Sequence, residues 1–146
     1  MANGNILVSL KQRYADDILA GVKTIELRRR SMNVCAGETM WIYATRPLGS
    51  VVGRATVQGV NVLSPQTLWR KFGHRTGLSR SEFFDYFEGA QTGTAIELRD
   101  VMKLEKAVSL ESLRQRSFNF QPPQFFARLE NENPVLRLLQ RTRLSG

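Results

Sequence analysis

Three ionisable side chains lie close together in the stretch GVKTIELRRR, residues 21–30: Lys23, Glu26 and Arg28. A lysine held in a pocket loses hydration, which lowers its pKa and makes it a candidate base or nucleophile. A carboxylate beside it can accept a proton or a hydrogen bond, and a guanidinium can bind phosphate through two parallel hydrogen bonds. These residue types predict either a site for an anionic ligand or a site for proton transfer.

The same three residues also have an ordinary explanation. Lys23 precedes the regular strand, so the alternation of the strand does not predict which way its side chain points. Its residue type alone favours an exposed surface charge. Glu26 and Arg28 lie on one side of a strand and would form an ion pair, which contributes little to stability where it is exposed. The two explanations differ in whether the head groups converge on one concavity or diverge into water.

Local patterns predict the elements that must position this motif. NILVSL predicts a first strand, and RYADDILAGVK predicts a helix that stops at Gly21, where glycine readily adopts a left-handed backbone. TIELRRR alternates apolar Ile25 and Leu27 with polar residues, which is the period of a half-buried strand. We expect this strand to lie near the centre of a sheet.

The rest of the chain continues with strands, then helices, then strands. Further strands are predicted from Met40 to Ala44 and within GSVVGRATVQGVNVL, where Gly53 and Gly59 allow the bulges that close a small barrel. SPQTLWRKFG and SRSEFFDYFEG each begin with a serine cap and predict helices. TGTAIELRDVMKLE returns to the strand period, SLESLRQR predicts a short capped helix, and FQPPQFFARL predicts a proline-fixed segment with its aromatic side chains turned inward.

These patterns predict an α+β arrangement in a single domain, residues 1–146, whose first strands begin a small barrel. The expected parts are a barrel core at about 5–60 and 93–130, a helical insertion at about 64–90 and a C-terminal helix at about 133–144.

Charge composition indicates a polyanionic partner. The chain has 21 basic and 13 acidic residues, a net charge of +8, and 16 of its basic residues are arginine. Arginine binds phosphate through a planar, bidentate group, so nucleic acid is the partner that this excess favours. The alternative is that the basic surface only keeps the protein in solution.

Other residue counts exclude several classes of site. The single Cys35 excludes an intramolecular disulfide and a cysteine-rich zinc site, and the single His74 excludes a histidine-based metal cluster. We therefore predict no cofactor. No signal peptide and no membrane-spanning run is recognisable, which predicts a cytoplasmic protein without a membrane partner.

Further candidates for ligand binding are charged, hydroxyl and aromatic residues near the predicted helix starts and strand ends: Lys11, Arg13, Tyr43, Thr45, Arg46 and Tyr86. Tyr43 lies beside Arg46 at a strand end, an arrangement that suits base stacking and phosphate binding. A core ring with a hydrogen-bonded hydroxyl is equally expected for Tyr43. Within the aromatic run at 83–87 we expect core rings, with Tyr86 alone reaching a pocket.

The stretch SLKQRYADDILAGVKTIELRRR resembles the opening motif of the ASCH family, a branch of the PUA-like superfamily. Its signature Gly-x-Lys-x-x-Glu-x-Arg is met by Gly21, Lys23, Glu26 and Arg28. WIYATRP, VVGRATV, FFDYFEG with TAIELRDV, and PPQFFARL follow in the order of a bacterial subgroup of stand-alone PUA-like regulators, so the resemblance covers about 5–130. It implies a small, partly open PUA-like β-barrel with a helix after strand one and a helical insertion. The motif residues would line a cleft between the barrel and the first helix, and this cleft would bind RNA or a modified nucleoside.

The resemblance also implies two kinds of enzyme. Small ASCH amidohydrolases remove the acetyl group of acetylated cytidine with a lysine, a threonine and a glutamate. The lysine corresponds to Lys23, but the threonine position is Glu26 here, and the segment HRTGLS near residue 76 contains no acid. Other family members are metal-assisted ribonucleases. A divalent metal would be a cofactor only in that case, and Glu26 alone would not supply its several oxygen ligands.

We predict a protein that binds RNA or a modified nucleotide through Lys23, Glu26 and Arg28, with DNA as a further candidate partner. The first alternative is a nucleoside- or RNA-processing enzyme in which Lys23 is the base or nucleophile and Glu26 the proton shuttle. The second is a regulatory partner that docks proteins on the helical insertion.

Overall fold

The apolar runs of the chain form the strands of one mixed sheet that curls into a half-barrel. The computed structural model describes residues 4–145. The strands are β1 (Asn5–Leu10), β2 (Ile25–Arg28), β3 (Thr39–Ala44), β4 (Ser50–Leu63), β5 (Gly93–Ser109), β6 (Phe126–Leu129) and β7 (Leu144–Ser145). Their order is β2-β5-β4-β3-β1-β6, with β7 on β5. β1 and β3 are parallel, and the other pairs are antiparallel.

Helices cover the sheet and separate its strands along the chain. They are α1 (Gln12–Leu19), α2 (Pro65–Phe72), α3 (Arg80–Tyr86), α4 (Leu110–Arg116) and α5 (Pro134–Gln140), with a 3₁₀ turn at Gly73–Arg75. The serine caps predicted for three of them are confirmed, because Ser64, Ser79 and Ser109 each accept a backbone N–H from the first turn. No helix within residues 4–145 is both long and apolar enough to cross a lipid bilayer.

The two longest strands bend at the predicted glycines. The pairing of β4 with β5 shifts register between Val51 and Gly53 and again between Val57 and Gly59, which confirms the bulges. Gly53 also permits a close approach, since a Cβ atom there would lie 2.6 Å from Leu19 Cδ2. Helix α1 therefore packs directly on β4, next to the residues that precede Lys23.

Strand β2 lies at an edge of the sheet, so the expectation of a central strand was wrong. Within residues 4–145, its one strand neighbour is β5. Both of its faces are nevertheless covered: Ile25 and Leu27 pack in an aromatic-rich cluster with α2 and α3, and Glu26 pairs with Ile96 of the barrel core. The predicted half-buried strand has one apolar and one polar face, and Glu26 on its polar face is itself buried.

The C-terminal part of the chain also differs from expectation. Helix α5 ends at Gln140 rather than near residue 144, because Leu144 instead pairs with Leu104 of β5 and packs against a buried cluster. The segment FQPPQFFARL contains β6, and Phe125 just before that strand is 53% exposed. The prediction that its aromatic side chains all turn inward was therefore wrong.

Candidate nucleic-acid site

The end of helix α1 positions the backbone of Lys23. Gly21 adopts a left-handed conformation with φ +80°, as its predicted role as a helix stop requires. The N–H groups of Val22 and Lys23 then both donate to the carbonyl of Asp17, at 2.9 and 3.1 Å. Because the turn is hydrogen-bonded to the helix, the direction of the Lys23 side chain is determined before the strand begins.

The Lys23 side chain points inward and is 2% exposed. Its Nζ donates to the carbonyl of Thr76 at 2.9 Å, lies 3.9 Å from Glu26 Oε1 and sits 5.4 Å from the centre of the Tyr14 ring. Burial lowers the pKa of Lys23 below its ordinary value, and the charge of Glu26 opposes part of that shift. An amine in this setting can exchange protons more readily than an exposed lysine.

The Glu26 carboxylate lies between two cations. It is 4% exposed, and its Oε2 lies 3.0 Å from Nε of Arg28. The angle of that contact is poor, so it is an ion pair rather than a hydrogen bond, and Arg28 Nε is a buried donor without a hydrogen-bond partner in the described part of the chain. One terminal nitrogen of Arg28 donates weakly to the carbonyl of Ser9, at 3.4 Å.

The three head groups converge on one cleft between β1, β2, α1 and α3. Its volume is about 170 Å³, and its walls also include Lys11, Tyr14 and Tyr86. The sequence left open whether the motif converges or diverges, and the structure answers that it converges. The role of these residues in binding a ligand stays a prediction.

An exposed ion pair stands at the rim of the cleft. Glu82 lines the cleft, and its Oε2 accepts a hydrogen bond from Arg13 Nη1 at 2.8 Å. The Arg13 guanidinium and the backbone N–H of Ser79 lower the pKa of Glu82 to about 2. Arg13 is thus engaged by Glu82, and its net charge contribution to the cleft is small.

Tyr86 is the aromatic residue of α3 that reaches the cleft. It is 40% exposed, and its hydroxyl donates to the carbonyl of Leu27 at 3.3 Å. Partial burial, with the nearby charge of Glu26, raises the pKa of this hydroxyl. Phe83 and Phe87 are buried, as predicted, and Phe84 packs against the same cluster. The helical insertion therefore presents no row of exposed aromatic rings on which a protein would dock.

Tyr43, Thr45 and Arg46 lie elsewhere. They line a separate depression together with Arg114, and Ser9 is shared between this depression and the cleft. The Tyr43 ring is buried in a core cluster. The structure thus brings Lys11 and Tyr86 to the motif, places Arg13 at the rim, and leaves the YATRP residues outside the cleft.

Sequence reasoning missed two residues that contact Lys23. Thr76 is fully buried and supplies the carbonyl that accepts from the amine, and Tyr14 supplies the ring beside it. Thr76 belongs to the segment HRTGLS, whose residue types drew attention only because none of them is acidic. A backbone carbonyl carries no signal in residue type, so only the fold could have identified it.

Comparison with known proteins identifies the family. The model of the family described as "Domain of unknown function (DUF365)" matches residues 5–115. A protein of Zymomonas mobilis subsp. mobilis described as an ASCH domain-containing ribonuclease is 38% identical over 126 residues, which are 86% of this chain and 84% of that protein. The chain belongs to the ASCH family. The family predicted from the Gly21-to-Arg28 motif is therefore confirmed.

Solved structures confirm the fold of this ASCH domain. The crystal structure of ASCH from Zymomonas mobilis matches with a TM-score of 0.88 and 36% identity, covering 94% of this chain and 95% of that one. The N-terminal domain of Staphylothermus marinus McrB matches with a TM-score of 0.58 at 14% identity, covering 91% and 93% of the two chains, and shows a similar fold alone. The α+β, PUA-like fold is thus shown.

The cleft of this ASCH domain does not fit a divalent metal ion. Glu26 and Glu82 are the carboxylates that line it, and each already pairs with an arginine. Hard divalent cations require about six oxygen ligands. Across residues 4–145, no three His, Cys, Asp or Glu side chains lie where they could share a metal ion.

Proposed function

We propose that this ASCH domain binds RNA and holds one phosphate or base edge of it in the cleft. The observation that carries the proposal is that two cations, the buried Lys23 and the half-buried Arg28, share the single carboxylate of Glu26. Lys11 adds a further positive charge to the walls, and the charge of Glu82 is offset by its ion pair with Arg13. The cleft therefore has an excess of positive charge that an anion would neutralise.

The hydrogen-bonding groups of the cleft support the same proposal. Arg28 lines the cleft, and a terminal nitrogen of its guanidinium makes a weak hydrogen bond to the carbonyl of Ser9, at 3.4 Å, which a ligand oxygen would replace with a stronger one. Glu26 can accept from a base edge, while the rings of Tyr14 and Tyr86 offer apolar walls. The net charge of +8 would strengthen binding of any polyanion.

The experiment is a salt titration of binding to a fluorescently labelled single-stranded RNA, with DNA of the same sequence in parallel. We expect log K to fall linearly with log salt, with a slope of about −0.7 for each phosphate neutralised. Arg28→Gln should weaken binding by about 10-fold or more, because it removes a charge-assisted contact. Arg137→Gln, an exposed arginine of α5 that lines neither the cleft nor its neighbours, is the matched control. Flat salt dependence, or equal effects of the two variants, would contradict the proposal.

A second candidate function is cleavage of the bound RNA. The observation that favours it is the relative described as a ribonuclease, whose similarity extends over most of both chains. The buried Lys23 amine, with its lowered pKa, is the group in the cleft best suited to take a proton.

In this reaction the 2′ oxygen of the bound nucleotide attacks the adjacent phosphorus. The O2′–P bond forms while the P–O5′ bond breaks, which leaves a 2′,3′-cyclic phosphate and a 5′-hydroxyl. The neutral amine of Lys23 takes the proton of the 2′-hydroxyl, and the departing O5′ takes a proton from water. Arg28 stabilises the charge that develops on the phosphoryl oxygens. Glu26 passes the proton held by Lys23 to the hydroxide left from that water, which restores the neutral amine.

Product analysis tests this reaction. We expect cleavage in the presence of a chelator, cyclic-phosphate ends on the products, and no cleavage where the 2′-hydroxyl is replaced by hydrogen. Lys23→Met should abolish cleavage. Cleavage that requires added magnesium or manganese and leaves 3′-hydroxyl ends would contradict the reaction. Release of acetate from acetylated cytidine would instead support the amidohydrolase alternative.

A further inference from the structure

A larger groove adjoins the cleft on the other side of Tyr86. Its volume is about 810 Å³, compared with about 170 Å³ for the cleft, and Arg28 and Tyr86 line both. The other walls come from the segment that follows β2 and from the residues around the start of β6: Arg29, Arg30, Ser31, Met32, Gln124, Phe125 and Phe126. The two cavities are therefore neighbours with a shared wall.

The sizes of the two cavities decide what each can hold. Sites for drug-sized ligands have volumes of about 300–1,000 Å³. The cleft lies below that range, so it can take a phosphate or the edge of a base but not a whole nucleotide. The groove lies within the range. An RNA with one group in the cleft would have to place the rest of that nucleotide, and its neighbour, outside the cleft.

The charged residues of the groove are all basic. Among residues 4–145, its walls include three consecutive arginines, 28–30, and no carboxylate. Arg29 Nη1 donates to the carbonyls of Tyr86 and Glu88, at 2.8 and 3.0 Å, so its guanidinium is held in place without losing its charge. Within residues 4–145, neither Arg29 nor Arg30 forms an ion pair with a carboxylate. These charges are available to phosphate groups.

An exposed aromatic ring lies among these charges. Phe125 is 53% exposed, and the guanidinium of Arg30 lies 5.9 Å from the centre of its ring. The backbone carbonyl of Phe125 accepts from the N–H of Ser9 at 3.3 Å, which attaches this residue to the end of β1. An aromatic ring on a firm backbone beside an uncompensated arginine is the combination that stacks unpaired bases and neutralises their phosphates.

We infer that this groove binds the nucleotides that flank the one in the cleft, with a base stacked on Phe125 and a phosphate on Arg30. The inference rests on the proposed RNA binding and adds a requirement to it. The RNA must be single-stranded across the groove, since a base that is paired and stacked in a duplex cannot lie on Phe125.

The test compares a long and a short ligand. The long ligand is a labelled single-stranded octanucleotide with 2′-fluoro groups, which cannot be cleaved through a 2′ oxygen. The short one is a nucleoside monophosphate, measured by NMR titration. Phe125→Ala should weaken binding of the octanucleotide by about 5- to 100-fold, the effect of one stacked base. Arg30→Gln should weaken it and make the salt slope shallower by about 0.7. Both variants should bind the nucleoside monophosphate as the wild type does, because it has no flanking nucleotide to reach the groove.

Further measurements distinguish binding in the groove from binding in the cleft. Phe125→Trp should retain binding of the octanucleotide, because an aromatic ring remains. Arg28→Gln should weaken binding of both ligands, and Arg137→Gln of neither. If Arg28→Gln weakens binding but Phe125→Ala and Arg30→Gln do not, the groove inference is wrong and the proposed function stands. If no variant changes binding, both are wrong. Equal binding of a duplex and a single strand by the wild type would also overturn the inference.

Discussion

At the scale of single residues, the central feature is a lysine buried at a cost. Lys23 loses the hydration of its ammonium group, and its partners are one carboxylate at 3.9 Å and one carbonyl. Replacing a buried ion pair by apolar side chains of similar size is often neutral or stabilising, and removing one partner is costly where it leaves the other charge unpaired. Without Lys23, Glu26 would keep its ion pair with Arg28 at 3.0 Å. A side chain that lowers stability yet points into a cleft is more readily explained by binding or catalysis than by folding.

Lys23→Met should therefore separate stability from function. We expect the variant to be at least as stable as the wild type at neutral pH, and to bind RNA at least about 10-fold more weakly because a charged contact is lost. The measurements are urea unfolding and anisotropy titration. Lys106→Met, the same change at an exposed site, should alter neither. A strong loss of stability in Lys23→Met would show that the lysine serves the fold.

The pH dependence of stability gives a second test of Lys23. Its folded-state pKa is lower than the unfolded value of 10.5, because burial disfavours the charged form. Between the two values the unfolded chain binds more protons than the folded one, so stability rises with pH in that window. We expect wild-type stability relative to Lys23→Met to increase as the pH approaches 10.5 from below. Parallel unfolding curves at every alkaline pH would contradict the buried amine.

At the scale of elements, the turn between α2 and α3 closes the cleft over Lys23. Thr76 supplies the carbonyl that accepts from Lys23, and Gly77 follows in a left-handed conformation with φ +73°. A Cβ atom at Gly77 would lie 3.4 Å from Cβ of Lys23. The backbone of this turn and the side chain of Lys23 are therefore in direct contact.

Gly77→Ala should affect both stability and binding. An alanine forced into the left-handed region costs about 1–2 kcal/mol, and a shift of the backbone that relieves this strain would move the carbonyl and the added methyl group that contact Lys23. Gly89→Ala is the matched control, because Gly89 has φ +79° and no atom within 4 Å of the added Cβ. We expect similar losses of unfolding free energy in the two variants, and weaker RNA binding in Gly77→Ala alone. Equal binding by both variants would show that the turn does not position the lysine.

A second contact between elements joins the start of β3 to β6. The Glu38 carboxylate accepts from Arg128 of β6 at 2.6 and 3.3 Å and from the backbone N–H of Cys35 at 2.8 Å. These hydrogen bonds lower the pKa of Glu38. The ion pair holds the strand that follows Phe125 and thereby one wall of the groove.

Glu38→Gln should be less stable than the wild type only at pH values where the wild-type Glu38 carboxylate is ionised. We expect a loss of about 1–3 kcal/mol at neutral pH, since the charged partner of Arg128 is removed. A carboxyl with a depressed folded-state pKa contributes stability above its unfolded pKa, and that contribution is lost as pH falls through the folded-state value. The wild type and the variant should therefore converge in acid. Chemical unfolding at neutral and acidic pH measures this, and a difference that persists in acid would contradict it.

For the molecule as a whole, the net charge and the cleft together predict that RNA stabilises the folded chain. A ligand that binds the folded chain alone stabilises it, by about 2.7 kcal/mol at 100 times its Kd. For a chain of this length that is a rise in Tm of about 5–10 °C. Single-stranded RNA should produce this rise at low salt, and added salt should reduce it. A rise that is unchanged in Arg28→Gln would place the binding surface outside the cleft.

Features of the fold that depend on neighbouring residues could be predicted from the sequence. The first strand, the stop of α1 at Gly21, the serine caps and the bulges at Gly53 and Gly59 were all predicted, because each depends on backbone preferences and hydrogen bonds within a few residues. The Gly21-to-Arg28 motif was sufficient to predict the family, which the comparisons confirm.

Contacts between segments that are distant in the chain could be read only from the tertiary structure. It placed β2 at an edge, turned Lys23 toward Thr76, separated Tyr43 from the cleft and left Phe125 exposed beside the arginines. The contact between Lys23 and Thr76 joins residues 53 positions apart, and the acceptor is a backbone carbonyl. Such contacts arise from the packing of whole elements, which residue type and local period do not encode.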